Sequence, residues 1–367
     1  MKRTRFLMVG GFLGAGKTTA IARLARHYMD QGLKVGIVTN DQAYGLVDTL
    51  SLRAQGFKVG EVTGACFCCK FNDLIATAEQ LSQEDQPDVI IAEPVGSCTD
   101  LMATVMEPLR QLYGEAYELG PLAVLLKPEH GQKILGGESD VGFSPKAAYI
   151  FLKQLEEADV VVVNKIDKLS ADERTQLTRL LAERFPGKQV LAVSGRAGSN
   201  FAELITAMNR RDAQHAPTPE VDYDIYAEGE AELGWLNAMV RLHSHTGRRF
   251  RLDDVVVRLV ERLESAVRAA GGEPAHLKIL GAADGATAIA NLVSSTQDAE
   301  LSLRSGAETT AAELTVNARV ALAPEMLAEL VERESAALAD EFAVECALSD
   351  LQSFRPGRPV PTHRLQT

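Results

Sequence analysis

The chain has 367 residues, long enough for two domains with sizeable cores. A net charge of −12 argues against nucleic acid as a partner, and no apolar run is long enough to span a bilayer. Five cysteines, an odd number with three crowded together, make a disulfide framework the poorer reading and thiolate or metal chemistry the better one.

Met1-Lys2-Arg3 followed by Phe6 to Val9 has the outline of a signal peptide. The run is short, however, and it leads into a loop that cleavage would destroy, so a cytoplasmic chain is expected. Arg5 to Val9 reads as a strand and Thr19 to Tyr28 as a helix. Between them lies Gly10-Gly11-Phe12-Leu13-Gly14-Ala15-Gly16-Lys17-Thr18-Thr19, which fits the phosphate-loop pattern G-x-x-x-x-G-K-[ST]. Glycines let successive backbone N–H groups converge on one anion, and the following helix turns its positive end toward it. Gly11, Gly14, Ala15, Gly16, Lys17, Thr18 and Thr19 are therefore the expected phosphate cradle, with the Thr18 hydroxyl on Mg²⁺.

The pattern then alternates. Lys34 to Val38 predicts a strand that ends at Thr39-Asn40-Asp41. Lys58 to Val62 predicts a short strand, and Asp73 to Ser82 an amphipathic helix. Val89 to Ala92 predicts a buried strand, and Leu122 to Leu126, Val160 to Val163 and Val190 to Val193 predict three more. This is the texture of a mostly parallel sheet with helices on both faces, whose ligands sit beyond the carboxyl ends of the strands. Beyond His215-Ala216-Pro217-Thr218-Pro219-Glu220 the texture changes. Glu232 to Leu242 is open to a strand reading, and Asp253 to Ala269 predicts a helix capped by Asp253. Leu277 to Leu280, Ala288 to Val293 and Leu314 to Leu322 predict strands. Pro324 to Glu341 predicts a helix with proline in its first turn. The expected division is a phosphate-loop domain over 1–214, a linker over 215–222, a smaller α+β domain over 223–354 with a two-helix, ferredoxin-like arrangement, and an extended proline-rich tail over 355–367.

Three further motifs carry chemistry. Asn164-Lys165-Ile166-Asp167 is N-K-x-D at a strand's carboxyl end. A carboxylate there accepts two hydrogen bonds from guanine that adenine cannot offer, so Asn164, Lys165 and Asp167 point to GTP. Ser194, in Ser194-Gly195-Arg196, stands as a further base contact. Lys17, Asp41 and Glu93 are the expected catalytic groups of phosphoryl transfer. Glu93 opens Glu93-Pro94-Val95-Gly96, whose Gly96 can bring its backbone N–H to the γ-phosphate; Asp48 is a weaker third acid. Finally, Cys66, Cys68 and Cys69 in Gly64-Ala65-Cys66-Phe67-Cys68-Cys69 offer three thiolates to one soft cation, with a fourth position open. Cys98 reads as a packing cysteine, with a fourth ligand as the alternative. Cys346 reads as core. His243-Ser244-His245 reads as a polar turn, with transient metal binding as the alternative.

Taken in order, G-G-F-L-G-A-G-K-T-T, T-N-D-Q, G-x-C-x-C-C, E-P-V-G and N-K-I-D resemble the CobW-like branch of the metal-handling GTPases, a SIMIBI-class group that includes HypB, UreG and MeaB. The resemblance covers roughly the first two hundred residues, and the C-x-C-C segment points to the CobW-like branch in particular. It implies a slow GTPase, stimulated by metal or client, that carries a transition metal on Cys66, Cys68 and Cys69 and passes it to a client protein. Zinc comes first as cargo, ahead of cobalt, nickel or ferrous iron. Implied partners are a client metalloenzyme or corrinoid protein and a nucleotide- or metal-dependent second copy of the chain, with neither nucleic acid nor membrane. Asp41 stands where many CobW-like proteins have glutamate, and the histidine-rich segments common in that group are reduced here to His243 and His245. Two alternatives stay open: a chaperone that loads corrinoid cofactor, and a metal reservoir or sensor with little turnover.

Overall fold

The structure is a computed structural model that describes residues 3–136, 144–211, 217–292 and 298–366. His215 and Ala216 of the expected linker, and Val293 at the end of an expected strand, lie outside the described residues. The chain forms two compact units, each discontinuous in sequence. The first is Met1–Gln42, Gly56–Gly229 and Arg358–Thr367; the second is Ala43–Gln55 and Glu230–Gly357.

The first unit is built on β1 (Thr4–Gly11), β2 (Val35–Asn40), β3 (Lys58–Val62), β4 (Val89–Glu93), β5 (Tyr117–Leu126), β6 (Val160–Val163) and β7 (Gln189–Ala192). They form one sheet in the order β3-β2-β4-β1-β5-β6-β7, and every pairing in it is parallel. Strands covered on both faces need apolar side chains at every position rather than at alternate ones. That is why Val160, Val161, Val162 and Val163 are all buried, as are Phe6, Leu7, Met8 and Val9 in the central strand. The helices are α1 (Lys17–Asp30), α2 (Val47–Ala54), α3 (Phe71–Asp85), α4 (Glu107–Tyr113), α5 (Pro128–Gly136), α6 (Pro145–Glu157), α7 (Ala171–Arg184) and α8 (Phe201–Met208), of which α2 belongs to the second unit. Parallel register brings strand tips together. Asn40 lies opposite Val62, and Thr39 lies opposite Glu93. The segments that follow β2, β3 and β4 therefore emerge side by side.

After α9 (Tyr223–Glu230), the second unit carries β8 (Gly234–His243), β9 (Phe250–Arg251), α10 (Leu252–Ala269), β10 (Pro274–Ala283), β11 (Ala286–Leu292), β12 (Glu300–Leu303), β13 (Glu308–Thr309), β14 (Ala311–Val320), α11 (Pro324–Phe342) and β15 (Glu345–Phe354). Its main sheet runs β12-β11-β10-β14-β8-β15, all antiparallel. The run β10-β14-β8-β15, with α10 and α11 as crossovers, is the split βαβ order of a ferredoxin-like sheet, and β11 and β12 extend one edge. The α10 residues Val255, Val256, Leu259, Val260 and Leu263 form a fully buried stripe at helical spacing. Each such side chain contributes roughly 1.5–3 kcal/mol through removal from water.

Three local expectations change. Asp253 does not cap α10. The cap position is Arg251, and Asp253 accepts hydrogen bonds from Ser305 N–H at 2.8 Å, Ser305 Oγ at 2.7 Å and Gly306 N–H at 3.1 Å, closing the loop before β13. Helix α1 starts two residues earlier than expected because the phosphate-loop lysine and threonine already have helical backbone. Asp48, read as a weaker third acid, lies on α2 in the second unit, where its carboxylate accepts from Lys278 Nζ at 2.5 Å.

Candidate nucleotide and metal site

The glycine-rich loop leaves β1 with a backbone that only glycine accepts. Gly11 has φ 129°, and a Cβ there would come within 2.1 Å of the Leu125 carbonyl oxygen. Gly14 and Gly16 also have positive φ, and a Cβ on Gly16 would meet Asn164 Nδ2 at 2.6 Å. The loop thus presents backbone, not side chains, to its concave side, ahead of the amino end of α1. The Lys17 ammonium is buried and folds over this hollow, donating to Gly11 O at 2.9 Å and Phe12 O at 3.5 Å. The next side chain, Thr18, donates its hydroxyl to Glu93 Oε1 at 3.1 Å across the tips of two strands.

The turn after β4 closes the hollow from the other side. A Cβ at Gly96 would fall 2.8 Å from Leu13 Cδ2 and 3.1 Å from Lys17 Nζ, so glycine is what lets this turn approach the lysine. Helix α6 holds the turn in place. Gln154 Nε2 donates to Gly96 O at 3.0 Å and to Cys98 O at 2.8 Å. Glu157, fully buried, accepts from Thr99 Oγ1 at 3.2 Å and Met102 N–H at 2.9 Å. Burial pushes the Glu157 carboxyl up to about 8.

At the tip of β6, Asn164 ties two loops together. Its Nδ2 donates to Ala15 O at 2.8 Å, and its Oδ1 accepts from Gly195 N–H at 2.9 Å. Lys165 follows in a left-handed conformation, φ 60°, which turns the chain so that Asp167 comes under Ser194. The Ser194 hydroxyl donates to Asp167 Oδ1 at 2.5 Å and accepts from Ala197 N–H at 2.9 Å. Ser194, read from the sequence as a base contact, fixes the aspartate. Arg23 braces the same turn, donating to Gly195 O and Arg196 O, each at 2.7 Å.

The cysteine turn follows β3. Gly64 opens it with φ 86°, and the N–H groups of Cys69 and Lys70 both donate to Cys66 O at 3.0 Å, winding the segment into the start of α3. Winding places the three sulfurs within 4.8 Å of one another. Cys66 Sγ lies 2.9 Å from Cys68 Sγ and 3.4 Å from Cys69 Sγ, and the latter two are 3.7 Å apart. A tetrahedral ion with bonds of about 2.3 Å holds its sulfurs about 3.8 Å apart, so the turn needs only a small expansion to accept one. Hydrogen bonding from Cys68 first, then from Cys69 and Cys98, holds the Cys66 thiol well below its usual range, while Cys68 is pushed well above it by the same bond to Cys66. The cluster thus already favours one thiolate. Cys98, buried on the turn after β4, joins this hydrogen-bonded group.

Asn40, at the tip of β2, holds the turn from beneath. Its Nδ2 donates to Val62 O at 2.9 Å and Ala65 O at 2.8 Å, and its Oδ1 accepts from Phe67 N–H at 2.7 Å. Asp41, next in sequence, is buried; its N–H donates to Val62 O at 3.1 Å and its Oδ1 accepts from Gln42 N–H at 2.7 Å. Sequence reasoning stopped at Asn40 as the end of a strand and assigned no role to Gln154 or Glu157. The signal for Asn40 was its place in Thr39-Asn40-Asp41, but its partners lie more than twenty residues on. The rings of His243 and His245 meet edge to face, 4.5 Å between centroids, and His245 pairs with Glu345 in the second unit. Cys346 is half-buried on β15 and packs against that unit's core.

A glycine loop between the first strand and helix of a parallel sheet, with N-K-x-D at a later strand tip, defines a phosphate-loop nucleotide-binding protein. Residues 5–192, more than half of the chain, match the family described as CobW/HypB/UreG, nucleotide-binding domain, and the chain belongs to that family. It is similar to the zinc chaperone YeiR of Escherichia coli strain K12, with 29% identity over 196 residues, 51% of this chain and 54% of that protein. It is also similar to the urease accessory protein UreG of Metallosphaera sedula, with 27% identity over 215 residues, 54% of this chain and 90% of that one. The zinc chaperone CobW of a Sinorhizobium species is 26% identical over 265 residues, 62% of this chain and 72% of that protein. The chain spans about half the length of the first of these relatives.

Proposed function

We propose that this chain binds and hydrolyses GTP and uses the nucleotide state to control the holding and transfer of a transition metal, zinc first, to a client metalloenzyme. The observation that carries the reading is the convergence of Cys66, Cys68 and Cys69 on a turn whose neighbours at the strand tips are the segments bearing Asp41 and Glu93. The names of the relatives YeiR and CobW, both zinc chaperones, support zinc as cargo.

The residues fit the nucleotide. When bound, GTP with Mg²⁺ supplies a transferable γ-phosphoryl group and a cation that draws off its charge. The backbone of the glycine loop and Lys17 hold the phosphates. Thr18 and Glu93, an all-oxygen pair 3.1 Å apart, suit a small hard cation, and Gly96 offers its N–H beside Lys17. Asp41 and Glu93 orient water. Asp167, fixed by Ser194, reads the base, while Asn164 ties that reader to the loop. Nucleotide that draws Gly96 inward also pulls on Cys98, two residues on, and so on the hydrogen bonds around Cys66. Reciprocity then requires metal to change nucleotide affinity by the factor that nucleotide changes metal affinity.

The test is metal analysis of the chain with and without a non-hydrolysable GTP analogue, beside a variant with Cys66, Cys68 and Cys69 all changed to serine. The reading expects one zinc per chain, lost in the triple variant, with an affinity that depends on nucleotide. Equal GTP affinity with and without zinc sinks the coupling.

A further inference from the structure

The carboxyl-terminal arm has no regular secondary structure, yet it is tied down along its length within the first unit. Arg358 Nε donates to Asp224 Oδ1 at 2.8 Å, with its guanidinium 5.8 Å from the Tyr223 ring. Val360 N–H donates to Cys69 Sγ at 3.2 Å. Thr362 N–H donates to Cys68 O at 2.8 Å, and its hydroxyl to Cys69 O at 3.0 Å. The ring of His363 stands edge-on to Phe71 at 5.1 Å. Arg364 Nε donates to Asp100 Oδ2 at 2.7 Å, and Leu365 N–H donates to Ala103 O at 2.8 Å.

Two features distinguish this from a tail that merely lies on a surface. First, its donors select the chemistry of the site: one backbone N–H points at a candidate metal-ligating sulfur, and two more bonds fix the peptide groups of Cys68 and Cys69. Second, it spans two segments at once. One end lies on the cysteine turn. The other grips Asp100, which is fully buried, has φ 65° and also accepts from Tyr223 Oη at 2.7 Å, on the turn that begins at Gly96. The attachment is made largely by hydrogen bonds and ion pairs; Pro359 is buried, while the Val360 side chain is exposed.

We infer that residues 358–365 form a strap that closes over the cysteine turn, positions Cys69 and retains the metal, and that its release opens the site for transfer. The inference rests on the metal-carrying reading above. Because Arg364 grips the turn that follows Gly96, movement of that turn is transmitted to the strap. Release breaks hydrogen bonds, the two ion pairs of Arg358 with Asp224 and Arg364 with Asp100, and the contact of His363 with Phe71, with no covalent step.

The test compares the full wild-type chain with Val360→Pro and Arg364→Ala. Val360 lies between Pro359 and Pro361 in extended chain, so proline there removes the N–H with little else. Each protein is loaded with zinc, and release to excess chelator is followed by stopped flow. In the metal-free chains, alkylation of Cys69 by a maleimide is followed by mass spectrometry. The strap expects release roughly fivefold faster in Val360→Pro, the effect of one hydrogen bond, and faster still in Arg364→Ala. Cys69 alkylation speeds up in both. Unchanged zinc release in both variants, with zinc still lost from the triple serine variant, overturns the strap and leaves the metal reading intact. Zinc binding that survives the triple serine change overturns the metal reading, while Cys69 alkylation rates unchanged in both variants show that the arm does not cover the cysteine.

Discussion

The Asn40 carboxamide accepts a hydrogen bond from Phe67 N–H at 2.7 Å, so the residue that ends β2 also fixes the middle of the cysteine turn. Two further bonds from Asn40 to Val62 O and Ala65 O complete the clamp. Asn40→Ala leaves the buried Phe67 N–H without its acceptor and takes a donor from Ala65 O, while Val62 O keeps its bond from Asp41 N–H. The expected cost is roughly 2 kcal/mol of stability and about a tenfold loss of zinc affinity, read by denaturant unfolding and by competitive zinc titration. Asn40→Asp keeps the acceptor for Phe67 but sets a carboxylate oxygen against Val62 O and Ala65 O, so its stability and zinc affinity should fall at least as far as those of Asn40→Ala. Equal zinc affinity in all three proteins would show that the clamp serves the fold and not the site.

Base selection gives a second prediction. Asp167 is fixed by Ser194, so its carboxylate is aimed before any base arrives. Asp167→Asn replaces one acceptor with a donor. GTP affinity should fall by about 10²-fold or more, while xanthosine triphosphate, which offers a carbonyl in place of the guanine amine, should gain relative to GTP. Fluorescent-nucleotide competition measures both. Ser194→Ala should lose less, roughly fivefold, because it frees the carboxylate without removing it.

The turn after β4 provides a third. Gly96 lacks a positive φ, so backbone strain is not the reason for glycine there; the reason is room, with Lys17 Nζ 3.1 Å from where a Cβ would sit. Gly96→Ala should lower GTP turnover at least tenfold with little change in melting temperature. Phosphate-release assays set against thermal melts separate the two effects. A large fall in melting temperature with normal turnover would place the crowding elsewhere.

How legible this was in the sequence depends on range. The phosphate loop, N-K-x-D and the cysteine triplet are local patterns, where chemistry and spacing coincide within ten residues, and the buried valine run of β6 carries its own signature. In the second unit β8, β10, β11 and β14 could be placed, but not the short β9, β12 and β13, nor β15, whose alternation is broken by a register irregularity between Ser349 and Gln352. Helix α2 escaped notice because it is short and its buried side, Val47, packs on Leu280 and Ile289, residues far along the chain. The clamps by Asn40, Gln154 and Glu157, and the seating of residues 358–365, are side-chain-to-backbone contacts between distant segments, and nothing in a periodicity or a motif encodes them.

Glu157 gives the last prediction, and its sign follows from burial. The carboxyl is pushed up from 4.5 to about 8, so the folded chain holds a proton that the unfolded chain releases near the usual value. Stability from this group is fully present below about pH 4.5 and is lost as pH rises toward 8. Integrated over that interval the burden on the folded state is about 5 kcal/mol. Glu157→Gln removes the titration. Its Oε1 can accept from Met102 N–H while its Nε2 donates to the Thr99 hydroxyl, which keeps the turn before α4 in place. The variant should melt at nearly the wild-type temperature at pH 4, already a few degrees above it at pH 6, and furthest above it at pH 9. Melting curves for both proteins across that range measure the difference, which cancels the titration of every other group. A gap that stays constant with pH would mean that Glu157 ionises normally in the folded chain, and that the turn bearing Gly96 and Cys98 is held by an ordinary carboxylate.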